Sequence, residues 1–301
     1  MGICDGRVVI VTGAGRGLGR EYALALAAEG AKVVVNDLGV SNSGEGGDAT
    51  PAQQVVDEIK AKGGQAVANY DDVADFDKAK NIIATAVDTF GTLDAVVNNA
   101  GFVRDRMFVS CTIDEWDAII RVHLRGHFCV ASHAVQFWRG QQKAGRKVDA
   151  RIINTSSGAG LQGSVGQSSY SAAKGGIASL TLVQSAELGR YGITANALAP
   201  AARTRMTEAV FSDLAETKDA FDVGHPGNIA PAVVWLCSPQ SAHVTGCVFE
   251  LKGGMLMIED GWREGPSVDI GRRWNPAEIG PAVDKLLAER KPPRPVFGTQ
   301  G

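Results

Sequence analysis

Short apolar runs rich in β-branched residues alternate along the chain with longer stretches whose apolar residues recur every three or four positions. The short runs, at residues 7 to 12, 32 to 36, 66 to 70, 94 to 98, 150 to 155, 192 to 198 and 247 to 251, read as strands. Helices fill the intervals, beginning near Leu18, Pro51, Asp75, Asp114, Ser168, Arg205 and Gly227. This alternation predicts an α/β fold, a doubly wound parallel sheet of about seven strands covered on both faces through right-handed crossovers. Ligands then collect at the carboxyl ends of the strands, where Gly13, Asp37, Asn99, Ser157 and Pro200 converge.

The first crossover has a recognisable chemistry. Arg7-Val8-Val9-Ile10-Val11 is followed by Thr12-Gly13-Ala14-Gly15-Arg16-Gly17-Leu18-Gly19 and an Ala-rich stretch, Glu21 to Glu29, of high helix propensity. Strand, glycine turn and helix in that order make a Rossmann-like dinucleotide site. Gly13 permits the tight turn, Gly17 admits a pyrophosphate to the backbone, Gly19 allows close packing, and the helix N-terminus offers N–H donors. The second strand, Lys32-Val33-Val34-Val35-Asn36, ends at Asp37, near the distance expected for an acid that accepts hydrogen bonds from the adenosine ribose. A carboxylate there repels a 2′-phosphate and favours NAD over NADP, although Arg16, in the turn itself, is placed to contact such a phosphate.

A second constellation lies further on. Asn154-Thr155-Ser156-Ser157 ends an apolar run, and Ser169-Tyr170-Ser171-Ala172-Ala173-Lys174 opens a helical stretch. Four residues apart on a helix, Tyr170 and Lys174 share a face, so the ammonium can sit beneath the phenol and lower its pKa. A free phenol titrates near pH ~10, so work near neutrality asks for roughly 4 kcal/mol of preferential phenolate stabilisation. Ser157 can hydrogen-bond a substrate oxygen as charge develops on it. A Tyr-x-x-x-Lys pair alone is common on ordinary helices; the glycine turn upstream gives this pair its weight.

Composition narrows the possibilities. The chain has 301 residues, enough for a substantial core, and strand and helix signals run without a linker to about Gly261. Residues 1 to 261 are therefore expected to form one domain, with 262 to 301 as a C-terminal extension packed on it or on a neighbouring subunit. A net charge of −3 with dispersed basic residues argues against a nucleic-acid partner. Five cysteines, Cys4, Cys111, Cys129, Cys237 and Cys247, show no paired spacing and read as reduced thiols in a cytoplasmic setting, with no metal site implied. The start, Met1-Gly2-Ile3-Cys4-Asp5-Gly6, has no hydrophobic signal segment and lacks the Ser or Thr of a myristoylation motif, and no apolar stretch reaches membrane-spanning length.

Taken together, the motifs Thr12-Gly13-x-x-x-Gly17-x-Gly19, Asp72-Val73, Asn98-Asn99-Ala100-Gly101 and Ser157 with Tyr170-x-x-x-Lys174 resemble the short-chain dehydrogenase/reductase family over residues 6 to about 260. Within it, Val35-Asn36-Asp37-Leu38-Gly39 with its Gly-rich insertion, Arg104-Asp105-Arg106, Arg121-Val122-His123-Leu124-Arg125-Gly126 and Ala199-Pro200 with Arg205-Met206-Thr207 are similar to (3R)-hydroxyacyl-CoA dehydrogenase domains of type 2 multifunctional enzymes, also called 17β-hydroxysteroid dehydrogenase type 4. The resemblance implies hydride transfer between NAD and a secondary alcohol on a fatty-acyl or steroid side-chain CoA thioester. Its neighbours in function are a 3-oxoacyl-thioester reductase using NADPH and a hydroxysteroid dehydrogenase acting on a ring alcohol; from another class stands a non-catalytic NAD-binding scaffold.

The resemblance also implies roles. Tyr170 is the general base or acid, Ser157 orients the substrate oxygen, and Lys174 tunes Tyr170 and binds the nicotinamide ribose. The cofactor is lined by Gly13, Gly15, Arg16, Gly17, Leu18, Gly19, Asp37, Leu38, Asp72, Val73, Asn99, Ala100, Gly101, Thr155, Pro200, Ala202 and Thr204, with Asp72 and Val73 near the adenine and Thr204 at the carboxamide. Asn98 is a bridge between strands. The familiar Pro-Gly is Pro200-Ala201 here, a less permissive backbone. Most members carry Asn where this chain has His123, an imidazole that can relay protons, hold the same water or simply pack. Pairing of the long helices near Asp114 to Trp138 and Ser168 to Arg190 implies a homodimer or homotetramer.

Four further features carry expectations. Trp116, Phe128 and Trp138 are expected to pack a helix face or subunit interface. Arg104 and Arg106 stand where they can attract a CoA phosphate, the alternative being ordinary solvation. Met206 to Phe221 is expected to form an amphipathic lid. A helix is expected around Pro276 to Arg290, followed by an extended Pro-rich tail.

Overall fold

In strand β1 (Val8–Thr12) successive side chains point to opposite faces, and both faces are buried. Val9 and Val11 join one core layer with Val33, Leu26, Val55 and Val233. Val8 and Ile10 join the other with Val34, Ile82, Val130 and Ile152. A strand buried at every position thus requires helices on each side, which the alternating pattern supplies. The structure, a computed structural model, describes residues 2–39, 50–203, 221–292 and 294–299. The interior of the Gly39 to Thr50 insertion, the helix expected near Arg205, Thr204 and the lid segment from Met206 up to residue 220 lie outside the described residues.

Seven parallel strands follow the expected positions closely: β1, β2 (Lys32–Asn36), β3 (Gln65–Asn69), β4 (Ala95–Asn98), β5 (Ala150–Thr155), β6 (Ile193–Ala201) and β7 (Val248–Lys252). An eighth, β8 (Met255–Glu259), was not anticipated; it pairs antiparallel with β7. The spatial order is β3-β2-β1-β4-β5-β6-β7-β8. The chain leaves β1 in one direction and β4 in the other, so a crevice opens at their carboxyl ends. Only Gly253 and Gly254 separate β7 from β8, and Gly253 has φ +55°, a conformation that a two-residue hairpin demands. That glycine pair was the available signal. The unbroken apolar run Met255-Leu256-Met257-Ile258 hid the strand, because it lacks the alternation of a one-faced edge.

The helices are α1 (Gly17–Ala28), α2 (Thr50–Ala61), α3 (Phe76–Phe90), α4 (Ile113–Ile120), α5 (Gly126–Lys143), α6 (Gly158–Gln162), α7 (Ser168–Leu188), α8 (Ala230–Cys237) and α9 (Pro276–Glu289). Capping fixes several starts: Asp75 accepts from the N–H groups of Asp77 and Lys78, and Thr112 with Glu115 forms a reciprocal box on α4. Between α4 and α5 the chain forms a π-helical turn, Arg121–Arg125, so the long helix expected from Asp114 to Trp138 is one helix in two phases. Trp138 is buried and donates its indole N–H to the Leu93 carbonyl at 2.6 Å, whereas Phe128 is half exposed. After α9 the tail is extended, as its prolines require, and turns back onto the body: Arg294 pairs with Glu250 at 3.0 Å and Glu259 at 2.7 Å.

Polar side chains tie the carboxyl ends of the strands together inside the core. Asn36 donates to Asn69 at 2.8 Å, and Asn98 donates to Asn154 at 3.0 Å, the expected bridge between strands. Asn154, fully buried, in turn donates to Thr181 at 2.9 Å and Gln184 at 2.8 Å on α7. Replacing it takes a partner from Asn98, Thr181 and Gln184 at once, although Thr181 still donates to the Ile177 carbonyl at 2.8 Å. Asn154→Ala is therefore expected to lower the unfolding free energy by about 3 kcal/mol or more, checked by urea denaturation; an unchanged midpoint would show that these groups find other partners.

Candidate active site

The glycine turn is built for close approach. Gly13 has φ +61°, and a Cβ there would lie 2.7 Å from the Ala100 Cα. Asn99 clamps the turn from β4, its amide donating to the carbonyls of Thr12 at 3.0 Å and Gly13 at 3.1 Å. The Thr12 hydroxyl accepts from the N–H groups of Asn99 and Ala100 at 2.9 and 3.1 Å, a contribution that sequence reading did not isolate. Asp37 accepts from Gly15 N–H at 2.7 Å and Gly39 N–H at 2.7 Å, so the end of β2 is stitched to the turn. At the start of α1, Arg16 provides no side-chain cap, unlike Asp75 or Thr112. Backbone donors without a cap, a glycine floor that a Cβ would fill and a neighbouring carboxylate fit a dinucleotide.

Some of the expected lining is committed elsewhere. The Asp72 carboxylate accepts from Ala74 N–H at 2.8 Å and pairs with Arg121 at 2.5 Å. The Val73 side chain is buried, packed close to where a Cβ on Gly126 would stand. Any adenine contact therefore falls to backbone or to edges of these groups. Arg106 is likewise spent: its Nε donates to Glu115 at 2.8 Å, while the Arg104 guanidinium lies 5.5 Å from the centre of the Phe102 ring. Pro200 sits in β6 opposite Leu251, and Ala202 is buried just beyond the strand.

Ser157, Tyr170 and Lys174 come together at the carboxyl end of β5. Ser157 caps α6, its Oγ accepting from Ala159 N–H at 3.2 Å, and the same hydroxyl is hydrogen-bonded to Tyr170. Lys174, 2 % exposed, donates from Nζ to the Thr155 carbonyl at 2.6 Å and lies 5.5 Å from the centre of the Tyr170 ring. One helical turn on α7 thus carries both groups, as the spacing predicts.

The electrostatics correct one expectation. Any pull of Lys174 on the Tyr170 pKa is outweighed in this arrangement: burial pushes it up to about 12, the Ser157 hydrogen bond opposing and the Asp105 carboxylate adding to the rise. Desolvation of the phenolate outweighs an ammonium that is itself turned to a carbonyl and destabilised by burial, with its pKa lowered to about 7. The resting group is a neutral phenol. It can donate to a carbonyl oxygen directly, whereas accepting a proton from an alcohol draws on Ser157 and Lys174 together.

His123 also belongs to this cluster. The π turn carries it beneath Gly101, where a Cβ would lie 2.2 Å from its Cε1, and its ring meets the Tyr170 ring edge-on at 5.3 Å. Its Nε2 meets both backbone groups of Phe102, the carbonyl at 2.7 Å and the N–H, which donates to it, at 3.2 Å. Nδ1 is buried with no hydrogen-bond partner in the structure. Burial, and then the charge on Lys174, lower the His123 pKa to about 3. The ring is thereby held neutral, and a neutral ring with an unpartnered Nδ1 suits holding a water there. His127, one turn on and unremarked in the sequence, accepts from Thr155 N–H at 3.2 Å and is also held neutral by burial. Its four-residue spacing from His123 was the readable clue.

Among the described residues no helix is long and apolar enough to cross a membrane, and no group of three or more His, Cys, Asp or Glu is placed to hold a metal. Residues 7–215 match the profile of the short chain dehydrogenase family. The chain is 42% identical to the hydroxyacyl-CoA dehydrogenase ChsB1 of Mycobacterium tuberculosis over 96% of its length and 90% of that protein. It is 46% identical to the mouse peroxisomal multifunctional enzyme type 2 over 84% of its own length but only 32% of that larger protein. Among solved structures, a crystal structure of a short chain dehydrogenase from Mycobacterium avium matches with a TM-score of 0.90 and 59% identity, covering 99% of this chain and 100% of the other.

Burying Lys174 has a measurable cost with a definite sign. Its pKa falls from 10.5 to about 7 on folding, so between these values the unfolded chain holds the extra proton and stability rises with pH. From pH 7 to 9 this adds about 2 kcal/mol in the parent and nothing in Lys174→Met, so the stability difference between them should change by that amount. Urea titrations of both proteins across this window provide the measurement; parallel curves would mean that the amine stays charged when folded.

Proposed function

Because the chain belongs to the short-chain dehydrogenase/reductase family, oxidoreductases that act on CH–OH groups, we propose that it moves a hydride between NAD and the secondary alcohol of a 3-hydroxyacyl-CoA thioester. The observation that carries this reading is the cluster of Ser157, Tyr170 and buried Lys174 beside the glycine turn. Relatives named as a hydroxyacyl-CoA dehydrogenase and a multifunctional enzyme type 2 support the substrate class.

When bound, the nicotinamide ring supplies the hydride acceptor in oxidation and the donor in reduction. Asp37 favours NAD over NADP, since a 2′-phosphate would meet a carboxylate already tied to Gly15 and Gly39. Ser157 Oγ and Tyr170 Oη, hydrogen-bonded to each other, hold the substrate oxygen between them. In reduction Tyr170 gives its proton to that oxygen; in oxidation it takes the hydroxyl proton as negative charge grows, and Lys174 stabilises the phenolate from below. His123 holds a water through Nδ1 that connects this proton to the surroundings. Phe128 on α5 and Leu182 and Val183 on α7 are exposed apolar side chains, which supports pairing of copies through these helices.

A panel of short- to long-chain 3-hydroxyacyl-CoA thioesters and free hydroxysteroids, assayed with NAD and with NADP, tests the assignment. Turnover should be confined to thioesters with NAD. Tyr170→Phe should lower kcat by about 10²–10⁴-fold while the protein still binds NADH by fluorescence. Turnover that survives in this variant would refute the proton-transfer role. For His123→Ala, reduced kcat with nearly unchanged NAD affinity is expected; unchanged kcat removes the histidine from the path.

A further inference from the structure

We propose that the extended C-terminal segment, residues 294 to 299, is a wall of the substrate pocket and that Phe297 sets which apolar acyl substituents the site accepts. The inference rests on the acyl-thioester reading above and extends it to a segment outside the body of the fold.

Phe297 is held by the chain's own backbone. It pairs with Ser164 as an isolated parallel bridge, Val165 N–H donating to the Phe297 carbonyl at 2.8 Å and Phe297 N–H donating to Gly163 at 3.2 Å. Its ring lies against Gly158, where a Cβ would meet Cε2 at 3.0 Å and Cζ at 3.3 Å. Gly158 directly follows Ser157, whose hydroxyl is bonded to Tyr170. One residue therefore separates the aromatic ring from the group that meets the substrate oxygen. An absent side chain at 158 is what lets the ring come so near.

The neighbours of that ring make an apolar rim. Arg106 N–H donates to the Gly166 carbonyl at 2.7 Å, which brings Met107 against the same loop; its Sδ is 3.9 Å from where a Cβ on Gly166 would lie. Met107, Val165, Val296 and Phe297 are all exposed, at 55%, 45%, 41% and 37%, although the backbone of each is hydrogen-bonded. Of the charged groups next to Met107, Arg106 is turned to Glu115 and Asp105 accepts from the Gln167 amide at 3.0 Å. Apolar surface left open beside a polar proton-transfer centre suits a substrate with a carbinol at one end and a hydrocarbon chain at the other.

The segment is also anchored from behind. Arg294 reaches Glu250 on β7 and Glu259 on β8 with its two terminal nitrogens, and both carboxylates are largely shielded from solvent. The antiparallel hairpin that closes the sheet thus supplies the fixture for the wall. Between the fixture and the ring lie only Pro295 and Val296, so the position of Phe297 depends on the ion pairs.

Calorimetric binding of saturated acyl-CoA thioesters of increasing chain length, in the presence of NADH, reads the wall directly, and turnover of the matching 3-hydroxyacyl thioesters reads it kinetically. Phe297→Ala should shift selectivity toward long or branched chains by about tenfold or more in Kd and kcat/KM ratios, and Phe297→Trp should shift it the other way. Arg294→Met, and a chain ending at residue 293, should both move selectivity in the direction of Phe297→Ala with an unchanged thermal midpoint for the body. A chain-length profile that is the same in all four proteins, or no thioester binding at any length, overturns the wall. Length-dependent binding without Tyr170-dependent turnover overturns the functional reading and leaves the wall standing.

Discussion

The ammonium of Lys174 seated on the Thr155 carbonyl is the contact on which the centre depends. It fastens α7 to the end of β5, and with it Tyr170 to Ser157. Taking a lysine out of water is costly, and the depressed pKa of Lys174 records that cost. The fold offsets it with an extensive apolar core on both sheet faces and with a buried polar ladder, Asn98 to Asn154 to Thr181 and Gln184, that fixes the same helix against the same strand. A site that must hold a chargeable amine in a dry place needs such rigid surroundings, since any slackness would let the amine return to solvent.

Much of the scaffold was legible in the sequence because it rests on local rules. Seven strand runs, the glycine turn and the Tyr170 to Lys174 spacing all express periodicity or backbone permission, and both survive without tertiary information. The helix from Pro276 and the extended tail after it were readable for the same reason, from propensity and proline. What escaped depends on long-range pairing. β8 exists because Gly253 and Gly254 return the chain onto β7, and its unbroken apolar run gave no alternation to read. The Asp72 pairing with Arg121 and the Arg106 pairing with Glu115 are likewise invisible until separate segments are brought together.

The phenol shows a second limit. Spacing on a helix shows that Tyr170 and Lys174 share a face, but the sign of a pKa shift comes from the balance between desolvation and charge, which needs burial in three dimensions. Here burial prevails over the cation, and the phenol is held in its neutral form. The same balance keeps the His123 ring neutral. Two residues singled out by pattern thus keep their places while their protonation states are set by what surrounds them.

The π turn at Arg121–Arg125 separates two demands that one uniform helix would set against each other. A widened turn amounts to one residue intercalated in the helical winding, so the apolar stripe of α5 can stay aligned with the sheet while the stripe of α4 follows a different angular setting. His123 rides on the widened part, which lets its azimuth drift without dragging Trp138 off the core. Excising a single residue there would rewind the segment as a regular α-helix and rotate everything on one side by about 100°. The imidazole and the packing stripe are, in this sense, mechanically decoupled along a single rod.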